Sequence, residues 1–101
     1  MEKVNLAEKI SHIDDYWSPR VIAEMDDYQF RIFKIQGEFV WHCHPNSDEV
    51  FIVVEGQVTI ELRNGNVTLN KGELYVVGKG VEHRPVAEHE CHMMLIRNRK
   101  E

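Results

Sequence analysis

The run WHCHPNSDEVF, residues 41–51, places His42 and His44 two apart and Glu49 five further on. Side chains two apart on a strand share a face, so the two imidazoles project together and Cys43 projects away. Pro45 and the polar residues after it form a loop. The chain then returns into EVFIVV, with Glu49 at its start and on the same face as Phe51 and Val53, toward the interior. A buried carboxylate without a partner is costly, and a divalent cation is the partner that satisfies all three groups. His83, in GKGVEHRP, follows the strand-like run ELYVV and can rise at the same end. Three histidines and one glutamate make a mixed nitrogen and oxygen set. It suits one divalent Fe, Mn, Ni, Cu or Zn ion per chain, and an octahedral metal would keep two positions open for water or substrate. No thiolate joins them, which argues against a closed structural zinc site. Glu49 is also the candidate catalytic base, and no separate acid–base pair stands out.

These side chains need a scaffold that converges them. After Ser18-Pro19 the sequence becomes a series of short runs rich in Val, Ile, Phe and Tyr: RVIAEM, YQFRIFKIQ, EVFIVVE, QVTIELR, NVTLN, ELYVVG and CHMMLIR. Each is bounded by Gly, Asn, Asp, Lys or Pro, which is a strand pattern with almost no room for helices. Asn64-Gly65 suits a tight hairpin whose central residues both take positive φ, and Gly56 and Gly72 mark further turns. The reading is an all-β sandwich or small barrel over residues 19–98, preceded by an arm or short helix over residues 1–18, in a single domain of 101 residues. QVTIEL alternates cleanly and has one wet face. VFIVV does not: Phe51 and Val53 point one way, Val50, Ile52 and Val54 the other, and both sets are apolar. The outer set needs a cover, from the N-terminal arm or a second subunit; a homodimer is favoured, with Trp41 as a candidate interface anchor.

At this point the residues resemble a known family. GEFVWHCHPNSDEVFIVVEG, residues 37–56, is similar to the first cupin motif: a glycine, His-x-His, four residues, Glu49, six residues, Gly56. GELYVVGKGVEH, residues 72–83, resembles the second, with Gly72, Gly80 and His83 in register. The resemblance implies a cupin-like β-barrel (a double-stranded β-helix, or jelly roll) with a metal at its mouth, frequent dimerisation, and His42, His44, Glu49 and His83 as ligands. The sequence departs from the motifs at three places. Four residues, not five, separate Gly37 from His42; Gly78 replaces the usual proline; and Ala87 stands where asparagine often ends the second motif. None of these is a ligand.

The bulk properties narrow the function classes. Net charge is −5 with no basic cluster, which argues against a nucleic-acid partner. No apolar run approaches the ~20 residues that span a membrane, and MEKVNLAEKI lacks a signal-peptide core, pointing to the cytoplasm. Cys43 and Cys91 then read as free thiols, with Cys43 expected to be a buried, inert cysteine. His12, His89 and His92 read as surface or strand residues. Met93, Met94 and Leu95 fill the barrel, and alternate members line a pocket with Phe51 and Tyr75. Arg84 reads as a solvated arginine. Two functions fit: a metal-dependent enzyme of dioxygenase, isomerase or decarboxylase type on a small organic substrate, or a non-catalytic module that binds a small molecule or metal.

Overall fold

The structure, a computed structural model, describes residues 2–101; of the expected arm, Met1 lies outside the described residues. Asn5 opens the helix α1 (Leu6–Ser11) by accepting a hydrogen bond from Glu8 N at 3.0 Å, which satisfies one backbone donor that a first turn leaves unpaired. The β-branched and aromatic runs form β1 (Arg20–Met25), β2 (Tyr28–Glu38), β3 (Glu49–Glu55), β4 (Gln57–Leu62), β5 (Gly65–Asn70), β6 (Leu74–Val77) and β7 (His83–Asn98). The pairs are antiparallel, in the order β1-β2-β7-β3-β6, with β4 between β5 and β7.

β7 organises the fold. Its first part, His83–Val86, pairs with β4, its second part, His92–Arg97, pairs with β3, and β2 lies along its other edge. A straight strand would carry His83 and Arg97 about 46 Å apart, more than the 40 Å longest dimension of the molecule. β7 therefore turns a corner. Between the pairs Ile35↔Cys91 and Gly37↔Ala87, β2 advances two residues and β7 advances four. The extra length is a bulge at Glu88, His89 and Glu90, which are exposed. Gly56, at the turn from β3 to β4, sits against this corner. It has φ +94°, and a Cβ there would lie 3.0 Å from the Glu90 carbonyl oxygen and 3.1 Å from Cys91 Cα.

Alternation along the strands decides what is buried. Phe51 and Val53 of β3, Val58 and Ile60 of β4, and Ala87, Cys91, Met93 and Leu95 of β7 face inward and join Phe33, Ile35, Leu69 and Val77 in one core. The outer face of β3 is apolar as expected, and the chain itself supplies part of its cover. Ile10 and Ile13 from the N-terminal segment pack with Ile32, against Leu6, Ile22, Val54 and Met94. Val50 and Ile52, further along, stay half-buried beside their β6 partners Val76 and Leu74, which are 48% and 58% exposed.

One turn differs from the sequence reading. The residues between β4 and β5 are Arg63 and Asn64, and Leu62 pairs with Gly65. Neither turn residue takes positive φ; Gly65 alone does, at 148°. The hairpin places its glycine as the first strand residue, where the missing Cβ absorbs the irregular backbone.

Candidate metal centre

His83 is the first residue of β7, one turn of pleat from Pro85, and it holds His42 through the backbone. His42 N donates to His83 O at 3.1 Å and His83 N to His42 O at 2.9 Å, an isolated antiparallel bridge. The two rings lie 4.3 Å apart, centroid to centroid. His44 is anchored two residues on, its carbonyl accepting from Gly80 N at 2.8 Å, and Asp48 accepts from Lys79 N at 2.9 Å, clasping the 45–48 loop to the same segment. Glu49 opens β3 directly after that loop and points inward. The sequence thus brings all four predicted residues together: His42, His44, Glu49 and His83 each offer a donor atom, and these lie within 4.8 Å of one another. Glu49 and His83 are 2% and 1% exposed, while His44 is at the rim.

The ring hydrogen bonds decide what these atoms can accept. His42 Nδ1 is 2.9 Å from Val40 O and His83 Nδ1 is 2.9 Å from Val81 O. A carbonyl oxygen only accepts, so both Nδ1 atoms carry the proton. A neutral ring then has a bare lone pair on Nε2, the atom left to face the cluster. For His83 that lone pair lies 3.1 Å from Glu49 Oε1, an electron-rich pair that needs either a proton or a cation between them. Burial lowers the pKa of His42 and of His44 below the ordinary imidazole value, with the neighbouring cations adding to the effect, so these two rings favour the neutral, ligating form. Burial opposes ionisation of Glu49 as well. In the metal-free chain a proton shared with His83 in their hydrogen bond and the Arg97 guanidinium 2.9 Å away outweigh it, and the carboxyl is held below its usual range. The donor set therefore fits a divalent ion: three imidazole nitrogens, two of them on rings with backbone-fixed tautomers, and one ionised oxygen.

A fifth side chain reaches the cluster. Arg97 Nη1 lies 2.8 Å from His44 Nε2 and 2.9 Å from Glu49 Oε2, tying the two together. Its Nε is buried and makes no hydrogen bond among the described residues. Sequence reasoning passed over Arg97, although the signal was present. Cys91, Met93 and Leu95 alternate inward along CHMMLIR, and the same period carries residue 97 to the inner face. Arg84, the arginine weighed instead, is neither free in solvent nor in the site. It pairs with Glu61 at 2.8 Å and Glu38 at 3.4 Å.

The cluster forms the floor of a cleft of about 270 Å³. Phe51 and Leu95 line it as expected, together with Phe33, Phe39 and Trp17. Met93 is fully buried in the core and Tyr75 packs against the core, so neither lines the cleft. Trp17 comes from the N-terminal segment. Its ring stacks on Phe39 at 5.0 Å, its indole N–H donates to Gln36 O at 3.2 Å, and its backbone N–H donates to Lys34 O at 2.8 Å. These contacts hold it at φ +60°, a left-handed conformation that costs about 1–2 kcal/mol for a residue with a side chain.

The remaining sequence readings divide. Cys91 is buried, and Cys43 is exposed where a buried thiol was expected, because the strand-like alternation that aims His42 and His44 inward turns it to solvent. His12 and His89 are exposed, and His92 lies 2.7 Å from Glu90 at the corner of β7. Trp41, the proposed interface anchor, is covered within its own chain by the Arg63 guanidinium, 3.8 Å above its ring.

Comparison with known proteins follows from this geometry. A family model described as a cupin domain matches residues 30–97, about two-thirds of the chain. The chain is a cupin. This cupin is 55% identical to a cupin-2 domain protein from Shewanella frigidimarina of known crystal structure, with a TM-score of 0.93 over 95% of this chain and 94% of that one. It is 37% identical to a Neisseria meningitidis protein, with a TM-score of 0.88 over 96% and 99% of the two chains. An uncharacterised protein of Bacillus subtilis, YdbB, is 38% identical over 64 residues, covering 62% of this chain and 57% of that relative's length. The cupin assignment and the double-stranded β-helix expected from the two motifs are both borne out. No helix among the described residues is long and apolar enough to cross a membrane.

Proposed function

We propose that this cupin holds one divalent metal ion through His42, His44, Glu49 and His83 and acts on a small organic molecule in the cleft above it. The observation that supports this most directly is the pair of backbone-fixed tautomers. They leave imidazole lone pairs beside a buried carboxylate, with all four donors inside 4.8 Å. Four protein donors leave a six-coordinate Fe, Mn or Ni ion with two open positions, and Cu or Zn gains them only by expanding beyond four ligands; such an ion would supply Lewis-acid chemistry, or redox chemistry where the metal is redox-active, to whatever occupies them. The chain's own part is orientation and exclusion of water. His42 and His83 are locked by their carbonyls, Glu49 is kept ionised, and the aromatic walls keep the floor dry. The lowered pKa of Glu49 favours a ligand role over that of a general base, which works best near the operating pH.

A metal-dependent enzyme of dioxygenase, isomerase or decarboxylase type is the leading reading. One observation favours the non-catalytic alternative: among the described residues, the cleft's ionisable groups are only His42, His44, Glu49 and Arg97, so no separate acid–base pair is on hand. Two measurements test the proposal. Elemental analysis of protein purified without chelator or metal-affinity resin should find close to one transition metal per chain, and His44→Ala should lose it while keeping its circular dichroism spectrum. Unchanged metal in that variant would refute the ligand set. Oxygen uptake or substrate turnover by the metal-loaded protein then separates enzyme from binder. We also propose a cytoplasmic protein that dimerises through the outer sheet face where Leu74 and Val76 stand exposed. Light scattering on wild type and Val76→Lys tests the dimer, a monomeric wild type refuting it.

A further inference from the structure

The walls of the cleft say what kind of molecule the floor receives. They are the partly exposed Trp17 and Phe39 and the buried Phe33, Phe51 and Leu95, with Pro19 and Pro85 beside them, and the Phe39 ring packs edge-on to His42 at 5.1 Å. The one polar wall atom with a donor, the Trp17 indole N–H, is already committed to Gln36 O. A sugar or polyol placed here would leave several hydroxyl groups without partners, a penalty each buried hydroxyl carries. Polar groups are confined to one end. There, beside the four metal-ligand candidates, stands Arg97, whose buried Nε lacks an acceptor among the described residues. Its Nη1 is held by His44 and Glu49, and the guanidinium, 14% exposed, borders the cleft. Guanidinium forks match carboxylates in shape and charge. With a divalent cation in place, the charges at the floor, an ion of +2, Arg97 at +1 and Glu49 at −1, sum to +2, which favours an anionic head.

The wall that adjoins His42 through Phe39 is shaped by a strained residue. Trp17 is held in the left-handed region by its own backbone hydrogen bond, by its indole bond and by the stack on Phe39, whose ring plane lies 23° from its own. Tyr16, one residue earlier, is pinned by its hydroxyl to Gln36 at 3.1 Å and Glu90 at 2.8 Å. Backbone strain of this kind persists where surrounding structure over-determines it and clusters at ligand clamps. The volume of about 270 Å³ lies just under the range of drug-sized sites, about 300–1,000 Å³, and corresponds to a molecule of one ring.

We infer that the cleft binds a small monocarboxylate with a flat apolar body. Its carboxylate rests on the metal centre and Arg97, and its body lies against the Trp17–Phe39 pair, making Trp17 and Arg97 the specificity-determining residues. This rests on the proposed metal centre for part of its head-group recognition. The experiment separates the two. In a Trp41→Phe background, where Trp17 is the sole tryptophan, benzoate, benzamide, benzyl alcohol, cyclohexanecarboxylate, acetate and glucose are titrated into metal-loaded and metal-free protein. Binding is followed by Trp17 fluorescence and calorimetry, with metal content measured on the same samples. The expected result is saturable benzoate binding that shifts the Trp17 emission, at least ten-fold tighter than benzamide, benzyl alcohol or acetate, and no glucose binding. Arg97→Lys and Arg97→Gln should each reduce the benzoate-over-benzamide preference several-fold. Trp17→Leu, followed by calorimetry, should weaken benzoate about ten-fold with metal content unchanged. If no metal loads but benzoate still binds with this preference, the metal reading fails and the inference stands. If metal loads and benzoate binds no better than benzamide, or binds neither form, the inference is overturned. Equal benzoate affinity in wild type, Trp17→Leu and both Arg97 variants overturns the roles given to those residues.

Discussion

Arg97→Met, studied in metal-free protein at pH 7.5, tests how the site holds together before any ion enters. The substitution keeps an unbranched side chain of similar reach and removes the charge that faces Glu49 Oε2 at 2.9 Å. At that distance and an effective dielectric of about 20, the gross attraction is about 6 kcal/mol. Desolvation of both groups cancels part of it, and removing one partner of a buried pair costs about 3–5 kcal/mol. The 14% exposure of Arg97 and the second contact that Glu49 keeps to His83 place this case near the lower bound. A loss of about 3 kcal/mol corresponds to a fall in Tm of about 12–24 °C for a chain of this size. Thermal unfolding by circular dichroism reads it. Saturating divalent metal should recover more than half the loss, because the ion restores a positive partner to Glu49 and binds only the folded state. Adding Glu49→Gln to the variant should also cost less than the sum of the two single changes. A variant within about 2 °C of wild type without metal, or a loss of equal size with and without metal, would refute the argument that Arg97 stands in for the cation.

Three further outcomes are expected. Gly56→Ala should destabilise by about 2–4 kcal/mol, from left-handed strain and overlap with the β7 corner; equal urea midpoints for variant and wild type would contradict the close approach at Glu90. The metal-free protein should lose stability as pH falls. His42 and His44 have folded pKa values below 6.5, so the unfolded chain takes up protons first; their contribution is complete above that pH and is lost below it. Glu49, depressed from 4.5, adds a second loss in more acid solution, below that pH; a Tm that rises from pH 7 to pH 5 contradicts the histidine statement, and one that rises on further acidification below pH 4.5 contradicts that for Glu49. Cys91 is fully buried and its thiol is pushed up to about 11 by burial, so Ellman's reagent should titrate one thiol rapidly in native protein, Cys43, and two in denaturant.

Much of this was legible from residue types and spacing. His42, His44 and Glu49 were readable because they sit on local extended chain, where a period of two fixes direction. His83 required only that another strand end nearby, and the two-motif resemblance supplied the register. Other features escaped for physical reasons. Arg97 is about half the chain away from His42, His44 and Glu49 and at the far end of the strand that His83 opens, and its arrival depends on the corner in β7, which no local pattern announces. CHMMLIR was read as a strand of seven residues. The true strand begins at His83, since Pro85 is tolerated where its missing N–H is not called upon and its carbonyl accepts from Phe39 N at 3.1 Å. Trp17 looked like part of an ambiguous arm because its role depends on positive φ, which sequence favours only for glycine or asparagine. The cover over β3 was correctly required, and its supplier could not be read, since Ile10 and Ile13 would serve equally well against another surface.

The corner in β7 has one more consequence. His83 and Arg97 are opposite ends of one segment, and both close on the same carboxylate. An ion seated there would act as a clasp on a hoop, tying the His83 end of β7 to Glu49 of β3, to which the Arg97 end is already bonded, so openings that part β7 from β2, β3 and β4 become rarer while it is bound. Occupancy should therefore slow hydrogen–deuterium exchange across those strands as a block, far from the ion as well as beside it.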